Sequence, residues 1–286
     1  MGQIYDHYMP DITVSAAGRD WKLKRASDFD SLWDEMVADG RADADEHIPY
    51  WTELWPSSIA LCSWLSERRD EIAGRSCLDL GCGLGLTALA AASLGAHVTA
   101  VDYEFDALHY ARVNAAANGI SPEPVWLAMD WRHPALREGS MERIWGGDIM
   151  YETRFVDPVL SLFSHCLAPG GKAWVAEPGR EVYQAFLNGL ASGGFAGKKV
   201  SGAASMPCTP RPSPSPSLSG KSRADKPAFR SQETQRILVI RENMLILIER
   251  EPLPCHKGRR LPIPIRSGGR HVFLLRQRKR SRQNRQ

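Results

Sequence analysis

Four short runs of this chain carry residue types that can do chemistry. The first is Asp79-Leu80-Gly81-Cys82-Gly83-Leu84-Gly85. Its alternating glycines permit a tight turn and let a ligand approach the backbone with no Cβ in the way. The second is a lone carboxylate, Asp102, 17 residues after Gly85. A carboxylate at that remove from a glycine loop can accept both hydroxyls of a ribose, and it can equally cap the next helix. The third is Met129-Asp130-Trp131. There the Asp can accept from an adenine amino group and the Trp offers an apolar wall, and both residues also suit a structural role. The fourth is Asp148-Ile149-Met150-Tyr151-Glu152.

The glycine pattern is GxGxG. A dinucleotide fingerprint needs GxGxxG, and Leu86 stands where its last glycine would fall. No Gly-Lys-Ser/Thr is present, which argues against a phosphate-cradling P-loop. A nucleoside held over a glycine loop, with no basic residue placed to meet a phosphate, favours S-adenosylmethionine over NAD or ATP.

These runs need elements to position them, and the apolar pattern supplies them. Residues 12–23 predict two short strands around an Ala-Gly turn. Residues 28–36 predict a short helix begun by Ser27 or Asp28. From Pro56 the pattern turns regular. A helix is expected through residues 57–72, then a buried strand ending at the glycines, then a helix that stops at Gly95. His97–Asp102 and Val125–Ala128 predict two more strands with a helix at 104–117 between them. A fourth strand leads through Arg143–Trp145 to Gly146-Gly147-Asp148, and a helix face follows at Val156, Val159, Leu160, Phe163 and Leu167. Pro169-Gly170-Gly171 turns into a fifth strand, Lys172–Ala176, followed by a helix over 181–190. Strands alternating with helices imply an α/β fold with a doubly wound, Rossmann-like, mostly parallel sheet. Ligands sit at the carboxyl ends of such strands, where the four runs lie.

Composition divides the chain. Its formal charge is +3 over 286 residues. Residues 201–286 hold 19 Lys and Arg against 5 Asp and Glu, whereas 1–200 hold 17 against 28. All nine Trp and all seven Tyr precede residue 200. We therefore expect an N-terminal extension at 1–50, a catalytic domain at 51–200 and a low-complexity, basic Pro/Ser/Arg-rich tail at 201–286. That tail lacks the apolar residues to bury a core, apart from a candidate β-hairpin at 236–250. A reading-frame change in the source gene would also produce the shift near residue 201, and would leave the last antiparallel strands missing or replaced. The six Cys form no CxxC pair and no zinc spacing, so no metal is expected and buried thiols in a reducing compartment are. His133 and His165 suit surface or packing roles. No apolar run has the length of a membrane span, and no basic-then-apolar leader opens the chain, so a cytoplasmic location is expected by default.

Residues 51–200 resemble the class I (seven-β-strand) S-adenosylmethionine-dependent methyltransferases. Within them they resemble the family 16 protein lysine methyltransferases, the branch that includes the electron transfer flavoprotein β-subunit lysine methyltransferase. The residues that carry the likeness are Glu53-Leu54-Trp55-Pro56-Ser57, the Asp79–Gly85 loop, Asp102, Asp130-Trp131, and Asp148 with Tyr151 in an Asp-x-x-Tyr motif. The resemblance implies cofactor contacts at Trp55, Gly81, Cys82, Gly83, Asp102, Trp131 and Gly147, and Asp79, Gly85 and Asp130 of the same motifs are expected among the cofactor-binding residues. It implies a target-side role for Asp148 and Tyr151. Ile149-Met150 replace the two prolines of the Asn/Asp-Pro-Pro-Tyr motif, which argues against DNA-adenine and protein-glutamine substrates.

The expected activity is N-methylation of a protein lysine, and the acidic body suits a cationic target. N-methylation of a small-molecule amine is the alternative on the same scaffold. An open approach to Asp148 favours a protein, a lidded pocket a metabolite. RNA methylation assisted by the basic tail is a further alternative, but Phe229 and Phe273 are the tail's only aromatics, so stacking on bases is poorly served and a nucleic-acid partner is not favoured.

Overall fold

The computed structural model describes residues 11–25, 29–40, 48–201 and 244–250. It opens on a hairpin of β1 (Ile12–Ala16) and β2 (Arg19–Leu23), joined through Ala17 and Gly18, both at positive φ. Helix α1 (Phe29–Ala38) follows; its expected caps, Ser27 and Asp28, lie outside the described residues. A one-turn 3-10 helix at Tyr50–Thr52 leads into α2 (Pro56–Glu67) and the short α3 (Arg69–Ile72). Pro56 sits at the first helical position, where its missing N–H is no loss.

Strands and helices then alternate as the sequence predicts: β3 (Ser76–Leu80), α4 (Leu86–Ser93), β4 (His97–Asp102), α5 (Phe105–Ala117), β5 (Val125–Ala128) and β6 (Met141–Gly147). After β6 come α6 (Val156–Cys166), β7 (Leu167–Glu177), α7 (Val182–Ser192), β8 (Phe195–Ser201) and β9 (Met244–Arg250). Seven strands form one sheet in the order β5-β4-β3-β6-β7-β9-β8. The first five are parallel, and β9 runs antiparallel to both its neighbours. The chain winds outward from β3 to β5, then crosses back to β6 on the other side of β3. That reversal opens a crevice between the carboxyl ends of β3 and β6, where doubly wound sheets bind ligands.

Strand alternation sorts the core into two layers. Cys77, Trp126, Trp145 and Trp174 pack against α2, α4 and α5 on one face. Leu78, Leu80, Ile144, Val175 and Ile248 pack against α6 and α7 on the other. The hairpin is bound to the first layer: Trp21 is fully buried, and its indole N–H donates to the Ala16 carbonyl at 2.9 Å. Strands β1 and β2 share the main core, and α1 buries Leu32 and Met36 beside Trp51, Leu84 and Tyr110.

Three expectations shift. Leu167 does not extend the α6 face but begins β7, where it pairs with Met141. The next pair is Arg143 with Lys172, so Ala168 to Gly171 are looped out within β7 instead of forming a turn before it. At the far edge, residues 236–243 of the candidate hairpin lie outside the described residues, while 244–250 form β9. The partners of β9 are β7 and β8, and Ile248 is fully buried. The sheet therefore has its last antiparallel strands, one of them drawn from beyond residue 200. Among the described residues no helix is long and apolar enough to cross a membrane.

Gly85 is the tightest point behind the glycine loop. It sits at φ +89°, and a Cβ there would lie 2.9 Å from the Ala111 Cβ on α5. Gly85→Ala should lower stability by about 2–5 kcal/mol, combining left-handed strain with overpacking. Gly139, at φ +61° with open space around it, should cost only about 1–2 kcal/mol on the same change. Thermal unfolding of the two variants checks this; equal losses would show that crowding against α5 is not what demands the glycine.

Candidate functional site

The crevice holds a cavity of about 310 Å³. Ten of the sequence-predicted residues line it: Trp55, Gly81, Cys82, Gly83, Asp102, Asp130, Trp131, Gly147, Asp148 and Tyr151. Two do not. Asp79 points to the other side of its strand, as the period of two requires, and is 1% exposed. The Thr87 hydroxyl of α4 donates to its carboxylate at 2.6 Å. Burial pushes its pKa up to about 7, against the lowering effect of that hydrogen bond. Gly85 stands against α5 and serves packing.

The loop is bonded to the end of β4. The Val101 carbonyl accepts the N–H of Gly81 at 2.9 Å and of Cys82 at 3.0 Å. Asp102 continues the pattern: its Oδ2 accepts the Gly83 N–H at 2.8 Å, and its Oδ1 accepts the Glu104 N–H at 3.0 Å. A carboxylate has about four acceptor positions, more than its backbone donors fill, which leaves capacity for a ligand hydroxyl. Burial raises Asp102 to about 6, against the pull of these backbone donors. Gly81 has φ +68°, and a Cβ on it would meet the Trp131 ring at 3.3 Å and Ile149 at 3.1 Å. A side chain there would fill the space between wall and loop. The buried Trp131 Nε1 has no hydrogen-bond partner among the described residues, so the wall carries a donor that a ligand can satisfy. A desolvated carboxylate with spare acceptors, an open glycine cradle and an unused indole donor together fit a ribonucleoside.

Across the crevice the chain folds sharply after β6. A Cβ on Gly147 would lie 2.9 Å from the Ser58 Oγ and 3.2 Å from the Ser58 backbone, so only glycine lets α2 pack this close. Asp148 follows at φ +60°, with its N–H on the Ala176 carbonyl at 2.7 Å. Ile149 and Met150 turn into the second core layer, at 3% and 0% exposure. Those two buried residues explain the Asp-x-x-Tyr spacing: they anchor the loop and leave Asp148 and Tyr151 on the cavity. The Tyr151 ring meets Tyr50 edge-on at 5.2 Å and Phe155 at 4.9 Å. Burial, then the Asp102 and Glu152 carboxylates, push its hydroxyl well above the usual phenol range.

Sequence reasoning missed several parts of this wall. Tyr50 and Trp51 line the cavity from the segment before α2, and Phe155 does so beyond Tyr151. The only signal was aromatic density in Tyr50-Trp51 ahead of the Glu53-Leu54-Trp55 run. The charge pattern also differs from expectation. Glu53 pairs with Arg25 at 2.6 Å, Asp130 with Arg132 at 2.9 Å, Glu152 with Arg154 at 2.7 Å, and Asp148 with Arg180. Four of the carboxylates that line the cavity are thus paired with arginines. Arg132 contacts both Asp130 oxygens, and although burial alone would raise this carboxyl, those bonds hold it below its ordinary value. Asp130 thus lines the cavity with its carboxylate already engaged.

Residues 77–171 match the methyltransferase-domain family. The electron transfer flavoprotein β-subunit lysine methyltransferase of Rattus norvegicus is 33% identical over 137 residues, 47% of this chain and 52% of that protein. A ribosomal protein L11 methyltransferase of Pseudomonas paraeruginosa is 28% identical over 208 residues, 65% of each. The chain thus spans about half to two thirds of the length of these curated relatives. A solved 16S rRNA N2 G1207 methyltransferase of T. thermophilus, in complex with AdoMet and guanosine, aligns with a TM-score of 0.49 at 17% identity, covering 69% of this chain and 48% of that one.

A ribose bound to Asp102 would favour its ionised form. Nucleoside-cofactor affinity should therefore rise as pH increases from 5 through 6 and level off above 7, with protons released on binding below pH 6. Asp102→Asn should bind S-adenosylmethionine more weakly by about 1–3 kcal/mol at pH 7.5 and lose the pH dependence. Calorimetry at three pH values tests both, and an unchanged affinity at pH 7.5 would remove Asp102 from the site.

Proposed function

We propose that this chain, which carries a methyltransferase domain at residues 77–171, is an S-adenosylmethionine-dependent enzyme that N-methylates a lysine side chain of a protein. The observation that carries this reading is one cavity shared by two chemically distinct walls. The β3–β4 wall has the glycine loop, Asp102 and Trp131. The β6 wall has Asp148 and Tyr151, with Tyr50 against Tyr151. The first suits a nucleoside and the second an alkylamine. The names of the relatives, a lysine methyltransferase and a ribosomal protein methyltransferase, support a protein acceptor. The domain division accompanies the proposal, with β9 added to the 51–200 body.

When bound, S-adenosylmethionine supplies a methyl group on a cationic sulfonium. Asp102 would hold the ribose hydroxyls. Gly81 and Gly83 would let the nucleoside lie on the backbone, Cys82 and Trp55 would close its sides, and Trp131 would face the base. Gly147 brings α2 close beneath the loop that carries Asp148. Asp148 would accept an N–H of the incoming amine and aim its lone pair. Tyr50 and Tyr151 would flank the alkyl stem, and their π faces attract a developing ammonium. Proximity and in-line alignment supply most of the rate, so no strong base is needed at the reacting nitrogen.

One observation favours the second reading, N-methylation of a small amine. The Asp148 side chain is only 4% exposed, as in a lidded pocket. A lysine has a four-carbon stem with which to reach it.

Incubation with methyl-labelled S-adenosylmethionine and a cell lysate separates the two. Label should enter a protein band and appear as methyllysine after hydrolysis; label confined to small molecules or to RNA would overturn the lysine reading. Asp148→Asn should abolish labelling while cofactor affinity stays within about threefold. Tyr151→Ala should slow transfer about 3–30-fold, the scale of a cation–π contact, and Tyr151→Phe should recover most of it.

A further inference from the structure

Arg180 holds the acceptor-side carboxylate before any substrate arrives. Its Nη1 donates to Oδ1 of Asp148, and Oδ2 has no hydrogen-bond partner among the described residues. The arm that delivers it is rigidly tied. Glu177, fully buried at the carboxyl end of β7, accepts the N–H of Gly179 at 2.9 Å and of Arg180 at 3.1 Å. Gly179 makes the return at φ +91°. Two carboxylates at the ends of adjacent strands thus meet at Arg180, Glu177 through its backbone N–H and Asp148 through its guanidinium, the side chain being one-third exposed.

We propose that Arg180 is a positioning residue that, by matching the charge of Asp148 in advance, makes the site take its acceptor amine in the neutral form. The inference rests on Asp148 being the carboxylate that meets the amine. A bare buried carboxylate beside an amine favours the ammonium, which has no lone pair with which to attack. With Arg180 on Oδ1 that bias is largely cancelled, and Oδ2 remains to accept one N–H. The arriving ammonium gives one proton to solvent. Its nitrogen lone pair forms the N–C bond as the S–C bond breaks, and that bond's electron pair stays on sulfur. The product leaves as the methylated ammonium, so one proton is released for each methyl transferred.

The surrounding groups are consistent with this assignment. Glu177 from β7 is raised by burial and lowered first by the Arg180 and Gly179 backbone N–H groups and then by the Arg180 charge. Tyr50, from the segment before α2, is raised by burial and then by Glu152, with Arg180 opposing. Tyr151, Glu152 and Arg154 face the same end of the cavity from the loop after β6, and Asp102 faces it from β4. Of these cations, Arg180 is the one hydrogen-bonded to Asp148.

The test is the initial rate of methyllysine formation on the labelled lysate protein between pH 6.5 and 10, for the full chain and for Arg180→Gln and Arg180→Lys. Thermal unfolding and cofactor affinity of each variant are measured alongside. Arg180→Gln should fall at least tenfold at pH 7 and regain most of the loss by pH 9.5, its rate profile moved to higher pH by a unit or more. Arg180→Lys, which keeps the charge, should run slower but rise at the pH of the wild type. An Arg180→Gln profile that is unshifted, whether unchanged or lowered equally at every pH, would overturn the assignment. If Arg180→Gln does not fold, a shifted Arg180→Lys profile overturns it and an unshifted one upholds it. Absence of methyllysine with the wild-type chain at any pH would sink the lysine reading itself, a failure distinct from that of Arg180.

Discussion

The last two residues of β4 determine the shape of the loop beside them. The Val101 carbonyl takes two N–H groups of the glycine loop, and the Asp102 carboxylate takes a third. A carboxylate 8% exposed is costly to ionise, as its rise to about 6 records. Backbone donors offset part of that cost, and these donors exist only if the loop curls back over β4. The loop and the buried charge thus require each other. The rest of the architecture keeps them in register: β3 enters the loop, Gly85 lets α4 leave it against α5, and Asp79 ties α4 back to β3 through Thr87.

Charge is handled differently on the two walls. On the β4 side a carboxylate is met by backbone dipoles and left able to bind more. Around the mouth, carboxylates are met by arginines, two of them only two residues away in sequence. Exposed pairs such as Arg154–Glu152 add little stability. Their effect is on the field. On the proposed reading an amine acceptor must lose a proton in this cavity, and a strongly acidic mouth would hold it as the ammonium. Pairing keeps the mouth polar without that bias.

Much of this was legible in the residues. The strand and helix order, the glycine loop and the carboxylates after β4 and β6 follow from period, glycine spacing and the place of ligands in a doubly wound sheet. Local pattern could not tell that Asp79 faces α4, because that depends on which face of β3 meets which layer. It could not tell that Asp130 would be held by Arg132, a contact set by the loop's own curvature. Tyr50 and Trp51 gave no signal beyond aromatic density, because they reach the cavity from outside the repeating pattern. Arg180 was missed because Glu-Pro-Gly-Arg looks like an ordinary turn until the β6 and β7 ends lie side by side. In the tail the apolar run marked a strand within the candidate hairpin, and what local pattern could not tell is that 244–250 pairs with β7 and β8.

Asn114 joins three segments with one side chain. On α5 and fully buried, its amide donates to the Lys24 and Leu84 carbonyls at 3.1 and 3.0 Å and accepts the Lys24 N–H at 2.6 Å. The first turn of chain after the opening hairpin and the floor of the glycine loop therefore share a single clasp. Any ligand that stiffens Leu84 and its neighbours also stiffens residues near 24, about ninety positions earlier than the helix that holds them. Restraint applied to Leu84 at the cavity and restraint applied to Lys24 after the hairpin therefore act on the same side chain.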